Sequence, residues 1–121
     1  MSFDRIEEVS DRHLHIVWTT GDPVTAQHMV LMYARNSMLN HWWDRVTVVI
    51  WGASQQLVIE SPEIREAMKV AELAGVEFSA CASCAVNLRT TQGLEAQCVE
   101  VIRWGEKLSL LMQSGKPVLS V

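Results

Sequence analysis

The residues whose types and spacing could do chemistry are Cys81-Ala82-Ser83-Cys84. A Cys-x-x-Cys pair serves as a redox dithiol, as half of a zinc site, or as a nucleophilic thiol with a helper. Each use makes its own demand on the rest of the chain. A thioredoxin-like dithiol follows an early strand and faces a proline from a later loop. Here the pair comes two-thirds of the way along, and Pro117, at the start of the last expected strand, is the only later proline. Zinc asks for two more ligands, usually as a second close pair. No such pair exists, and Cys98, His13, His15, His28 and His41 are scattered. Free cysteines also simply pack, being among the most buried residue types, and that is the reading for Cys98 in its apolar-rich stretch.

The elements that must position the pair are strands alternating with helices. Residues 13–18 end in an apolar run suited to a strand buried on both faces. Asp22 followed by Pro23 is a helix-start signal, and the helix is expected over residues 23–42 with a stripe of Val30, Ala34, Met38 and Trp42, widened by Met29, Tyr33 and Leu39. Trp42 and Trp43 are neighbours about 100° apart on a helix, so one is a candidate interface residue. Residues 46–51 are almost wholly β-branched and form the clearest strand. The following 55–60 segment reads as a turn or a brief extended piece. Ser61-Pro62-Glu63 starts a helix over residues 62–74, with Ile64, Met68 and Ala71 inward and Gly75 at its end. Residues 76–80 are the third strand and deliver Cys81 where a helix over residues 82–88 begins, next to backbone N–H groups that favour a thiolate. A turn at 90–93, a strand at 98–102, a helix at 105–114 and a final strand at 117–121 complete the chain.

This alternation predicts an α/β fold: a three-layer α/β/α sandwich with a mostly parallel five-stranded sheet, in a single domain over residues 1–121. Ligands of such folds bind beyond the carboxyl ends of the strands. The expected crevice is therefore lined by Thr20, Gly21, Asp22, Gly52, Ala53 and Ser54 together with Cys81. Asp22 is first a helix cap, and the isolated Gly21 and Gly52 make no phosphate-cradling motif. His13 and His15 fall at the opposite end of their strand.

A net charge of −4 without a basic run excludes a nucleic-acid surface. Residues 1–12 lack the regions of a signal peptide and no apolar stretch reaches spanning length, so the expected location is the cytoplasm, away from membranes. Three cysteines without an export signal fit reduced thiols. Apolar residues are 49% of the chain, with five Trp and six Met, which points to surface buried between subunits. Nothing in the pattern calls for a metal or a cofactor.

The order of elements resembles the DsrE/DsrF-like family, which includes the TusD-type sulfur-relay subunits. The resemblance covers nearly the whole chain. It is carried by Trp18-Thr19-Thr20-Gly21-Asp22, by residues 48–54, by residues 75–88 around the cysteines, and by the late strand, helix, Gly115 and final strand. It implies a five-stranded three-layer fold, assembly as a homo-oligomer (trimer or hexamer), and a sulfur-handling role with sulfur donor and acceptor proteins as partners. By its place after the third main strand, Cys81 is the implied carrier of a persulfide. Cys84 is extra relative to the relay subunits and is expected to assist or resolve. Two other expectations stand beside this: a non-catalytic small-ligand or interaction module with packed cysteines, and a Cys81/Cys84 redox dithiol.

Overall fold

The computed structural model describes residues 12–121. The stretch read for a leader therefore lies outside the described residues except for Arg12. The strands are β1 (His13–Trp18), β2 (Arg45–Ile50), β3 (Glu77–Cys81), β4 (Glu100–Ile102) and β5 (Val118–Ser120). They form one five-stranded sheet in the order β4-β3-β2-β1-β5, parallel throughout. The chain steps outward from β1 to β4 and then crosses the whole sheet to β5. A right-handed return in that opposite direction puts the last helix on the other face.

The two faces follow strand alternation. Ile16, Trp18, Val48, Ile50, Phe78 and Ala80 belong to the main core, packed with Val30, Ala34, Ile64, Met68 and Leu94 from the helices. Val49 and Cys81 point the other way and pack with Trp104, Ile102 and Leu111. Helices thus cover both faces, and the sandwich expected from the sequence is present.

The first helix, α1, is α-helical at Pro23–Thr25, π-helical at Ala26–Leu31 and α-helical again at Met32–Leu39. The Asp22 carboxylate accepts from the Thr25 N–H at 2.9 Å and from its hydroxyl at 2.7 Å, which holds it below the usual carboxylate range. The wide π turn lets the neighbours Val30 and Leu31 both reach the core, and Ser37 rather than Met38 is fully buried beyond Ala34. That shift, and an end at Leu39 rather than Trp42, corrects the expected stripe. Trp42 is exposed, while Trp43 packs on the core and donates its indole N–H to the Tyr33 hydroxyl at 3.2 Å.

Residues 53–60 form a helix, α2 (Ala53–Glu60), where a turn or extended piece was expected. Leu57 and Val58 anchor it, and Ser61 separates it from α3 (Pro62–Leu73). The Ser61 hydroxyl caps α3 by accepting from the Ile64 N–H, a bond worth about 1 kcal/mol in such caps. After β3 come α4 (Ala82–Leu88) and α5 (Thr91–Ala96), the latter where a turn was expected. The chain then reverses through Cys98 at φ 61, sending Leu94 and Val99 inward and the Cys98 side chain outward. Cys98 is exposed, which corrects its reading as a packed residue. The last helix, α6 (Gly105–Gln113), contains no fully buried residue. Among the described residues no helix is long and apolar enough to cross a membrane.

Candidate functional site

The candidate site lies at the carboxyl ends of β2 and β3. There a cleft of about 570 Å3 opens between the first turn of α2, the start of α4 and Gly105. Its walls include Trp51, Gly52, Ala53, Gln56, Cys81 and Cys84.

Gln55, buried behind the cleft, ties together the elements that carry it. Its side chain is fully buried and donates from Nε2 to the carbonyls of Ile50 and Cys81 at 3.0 and 3.1 Å. Its Oε1 accepts from the Thr90 hydroxyl at 2.7 Å. One amide thus ties the last residue of β2, the last residue of β3 and the start of α5. A buried amide keeps its full set of partners because leaving any of them unpaired costs about 1–3 kcal/mol. Neither Gln55 nor Thr90 is evident from the sequence, since Gln55 lies in a segment whose helix is not evident there. A helical reading of residues 53–60 would have placed it in the first turn after β2.

The two thiols are placed differently. Cys81 is 4% exposed and sits between Val49 and Trp104 on the α6 side of the sheet. Its backbone is extended, at φ −74 and ψ 118, and caps α4 without a side-chain bond. Cys84, one turn into α4, is half-buried, and its Sγ accepts a hydrogen bond from the Gly52 N–H at 3.2 Å. Gly52 has φ 77 and ψ −138, a region essentially open to glycine alone, while a Cβ there would meet nothing within 4 Å. Its glycine is therefore demanded by backbone conformation, and that conformation supplies the N–H that reaches Cys84.

Of the other expected lining residues, Gly52 and Ala53 stand with both cysteines at the cleft, and Ser54, Thr20, Gly21 and Asp22 lie outside it. Ser54 is buried behind the wall, donating to the Trp18 carbonyl and accepting from the Trp51 N–H, so it ties the ends of β1 and β2 together. Thr20 sits where the strand order reverses, between β1 and β5, and the N–H groups of Thr19 and Thr20 are spent on the Val121 carbonyl at 2.7 and 3.2 Å. Gly21 backs the wall: a Cβ added to it would come within 3.1 Å of the Ala53 Cβ. Asp22 is the cap described above.

A second polar cluster occupies the other end of the sheet. His13 Nε2 lies 2.7 Å from the Thr47 hydroxyl, and the His13 and His15 rings stack at 4.1 Å. Arg45 donates to both Glu77 carboxylate oxygens, at 2.8 and 2.7 Å. Trp104 donates its indole N–H to the Ser79 hydroxyl at 2.8 Å, and the Lys107 ammonium stands 4.8 Å from the Trp104 ring centroid. His15 Nδ1 is buried without a partner among the described residues. Burial, with His13, Lys107 and Arg45 nearby opposing a positive charge on the ring, pushes the His15 pKa down to about 4. Among the described residues, no three His, Cys, Asp or Glu side chains converge as a metal set.

Fold and site together define a parallel α/β protein with two thiols at the carboxyl edge of its sheet. No protein-family model and no curated protein matches the chain. Among solved structures it is similar to a conserved protein of unknown function from Bacteroides thetaiotaomicron, at 27% sequence identity and a TM-score of 0.88, over 93% of this chain and 97% of that one.

Proposed function

We propose that this chain is a sulfur-handling protein whose Cys81/Cys84 pair accepts a persulfide sulfur and passes it to an acceptor thiol. The observation that carries this reading is that both cysteines border one cleft, where the Gly52 N–H donates to the Cys84 sulfur. Sulfane sulfur moves by thiolate attack on a sulfur–sulfur bond, so such a protein needs a reachable thiol, a donor for the charge on sulfur, and room for the partner. The cleft offers all three. The resemblance to the DsrE/DsrF-like family points to the same chemistry, with donor and acceptor proteins as partners and a cytoplasmic setting that keeps thiols reduced.

The reading extends to a homo-oligomer, a trimer or a hexamer. Its support is the thin cover that α6 provides: Leu110 and Met112 are more than half exposed. Light scattering on the purified chain checks it, and a monomer at all concentrations would refute it. The sulfur chemistry is tested by intact mass after treatment with a persulfide donor. In a Cys98→Ser background, the expected result is an added sulfur that dithiothreitol removes and that a further Cys81→Ser/Cys84→Ser double substitution abolishes. A wild-type chain that neither gains sulfur nor releases sulfide from the donor sinks the proposal.

A further inference from the structure

We infer that Cys84 is the thiol that receives the sulfur and Cys81 the thiol that resolves it, an assignment that rests on the sulfur-handling reading and reverses the order the family resemblance implies.

The two sulfurs differ in approach. Displacement at a sulfur–sulfur bond is in line, so the attacking sulfur must face the incoming partner with nothing in the way. Cys81 is 4% exposed, packed with Val49 and Trp104, and its carbonyl is pinned by Gln55. Cys84 is half-buried at the same cleft, and the Gly52 N–H fixes its sulfur from one side. A donor already aimed at sulfur balances the charge that builds there during transfer and needs no rearrangement. The glycine-only backbone of Gly52, with no packing demand for a missing side chain, is the local feature this role explains.

The cleft also indicates the donor. Its lining contains no Asp, Glu, Lys, Arg or His, and its polar side chains include Gln56, Ser83 and Asn87 beside the apolar Trp51 and Leu88. Such walls suit a neutral, amide-bearing organic persulfide. In the loading step the Cys84 thiolate attacks the outer sulfur of R–S–SH, the sulfur–sulfur bond of the donor breaks, and R–S⁻ leaves as Cys84–S–SH forms. Without an acceptor, the Cys81 thiolate attacks Cys84 Sγ, a Cys81–Cys84 disulfide forms, and HS⁻ departs. Two equivalents of an external thiol then restore the dithiol and are themselves oxidised to a disulfide.

The test treats the full chain, Cys81→Ser and Cys84→Ser with N-acetylcysteine amide persulfide, maps the added sulfur by peptide mass, and follows sulfide release. The expected result is sulfur on Cys84 in the wild-type chain, a longer-lived adduct with no sulfide release in Cys81→Ser, and loading slowed by about tenfold or more in Cys84→Ser. Peptide mapping of the wild-type chain needs no variant to fold. Loading of Cys84→Ser at the wild-type rate, with sulfur on Cys81, overturns this assignment and leaves the sulfur-handling reading standing. Absence of both added sulfur and sulfide release from the wild-type chain, with no adduct on Cys81→Ser, overturns both.

Discussion

Replacing Gln55 by Leu should cost the protein about 3 kcal/mol. The side chain makes three hydrogen bonds, to the carbonyls of Ile50 and Cys81 and from the Thr90 hydroxyl, all in a fully buried setting. Each such bond contributes about 1 kcal/mol net, and each partner left without water carries its own desolvation cost. Leu preserves much of the volume, so the loss isolates the polar term. Against a typical domain stability of about 5–15 kcal/mol, the effect is a large fraction of the total. Urea unfolding followed by tryptophan fluorescence reads it as a lower midpoint at unchanged slope. Thr90→Val removes one of the same bonds, so the double variant should lose about 1 kcal/mol less than the sum of the singles. Freed of its carbonyl tether, the end of β3 should also let alkylating reagents reach Cys81 faster. A Gln55→Leu protein within about 0.5 kcal/mol of wild type would refute the argument, as would strict additivity with Thr90→Val.

Acid should destabilise the fold through His15. Its folded pKa of about 4 lies below the ordinary 6.5, so the unfolded chain binds more protons in that window. Stability is then fully present above about pH 6.5 and lost as pH falls toward 4. The interval corresponds to about 3.4 kcal/mol, and about 2 kcal/mol is expected because the ring borders an open cavity. His13, Lys107 and Arg45 oppose a charge on His15 and Glu77 favours it. His15→Phe should flatten denaturation curves compared between pH 7 and 4.5, and an unchanged slope would count against the cluster. Gly52→Ala forces a side chain into a glycine-only conformation and should cost about 1–3 kcal/mol, with slower sulfur loading on Cys84 than the stability loss explains. Arg45→Met removes an exposed ion pair and should cost no more than about 1 kcal/mol despite its two short bonds, by thermal melting in low salt.

Much of the architecture was legible because its signals are local. The β-branched run of β2, the Asp22-Pro23 and Ser61-Pro62 starts and the strand end at Cys81 each depend on neighbours in sequence. What was not legible depends on the sheet. Residues 53–60 look extended or turn-like because Leu57, Val58 and Ile59 are consecutive and apolar, and only packing shows that Leu57 and Val58 face inward while Ile59 is exposed. The π turn that brings Val30 and Leu31 together has no signature in composition. Cys98 looks like a core residue among Leu94, Val99 and Val101, but the reversal at its left-handed backbone turns it outward. The crevice was placed at the right edge of the sheet and too widely along it. Thr20, Gly21 and Asp22 end the strand beside the order reversal, where the general rule puts ligands, and there the backbone donors of Thr19 and Thr20 are already paired to Val121.

The unequal standing of the two cysteines has the same origin. Along β3 side chains alternate, so Ser79 and Cys81 share the face that α6 covers, while Phe78 and Ala80 enter the main core. The last residue of a strand is exposed only if nothing roofs it, and Trp104, held by its bond to Ser79, roofs this one. Cys84 packs only at the margin of the cluster around Trp104 and stays half-buried, because helical geometry takes over at Ala82 and turns the chain toward Gly52 within one turn. The cysteine most conspicuous in the sequence, at the end of an apolar run, is thus the one the sheet buries. A Trp104→Ala variant checks the reasoning: it should leave the Cys84–Gly52 contact in place and bring the alkylation rate of Cys81 up to that of Cys84. If Cys81 is already the faster of the two in the wild-type chain, the roof does not protect it and the asymmetry argued from alternation falls.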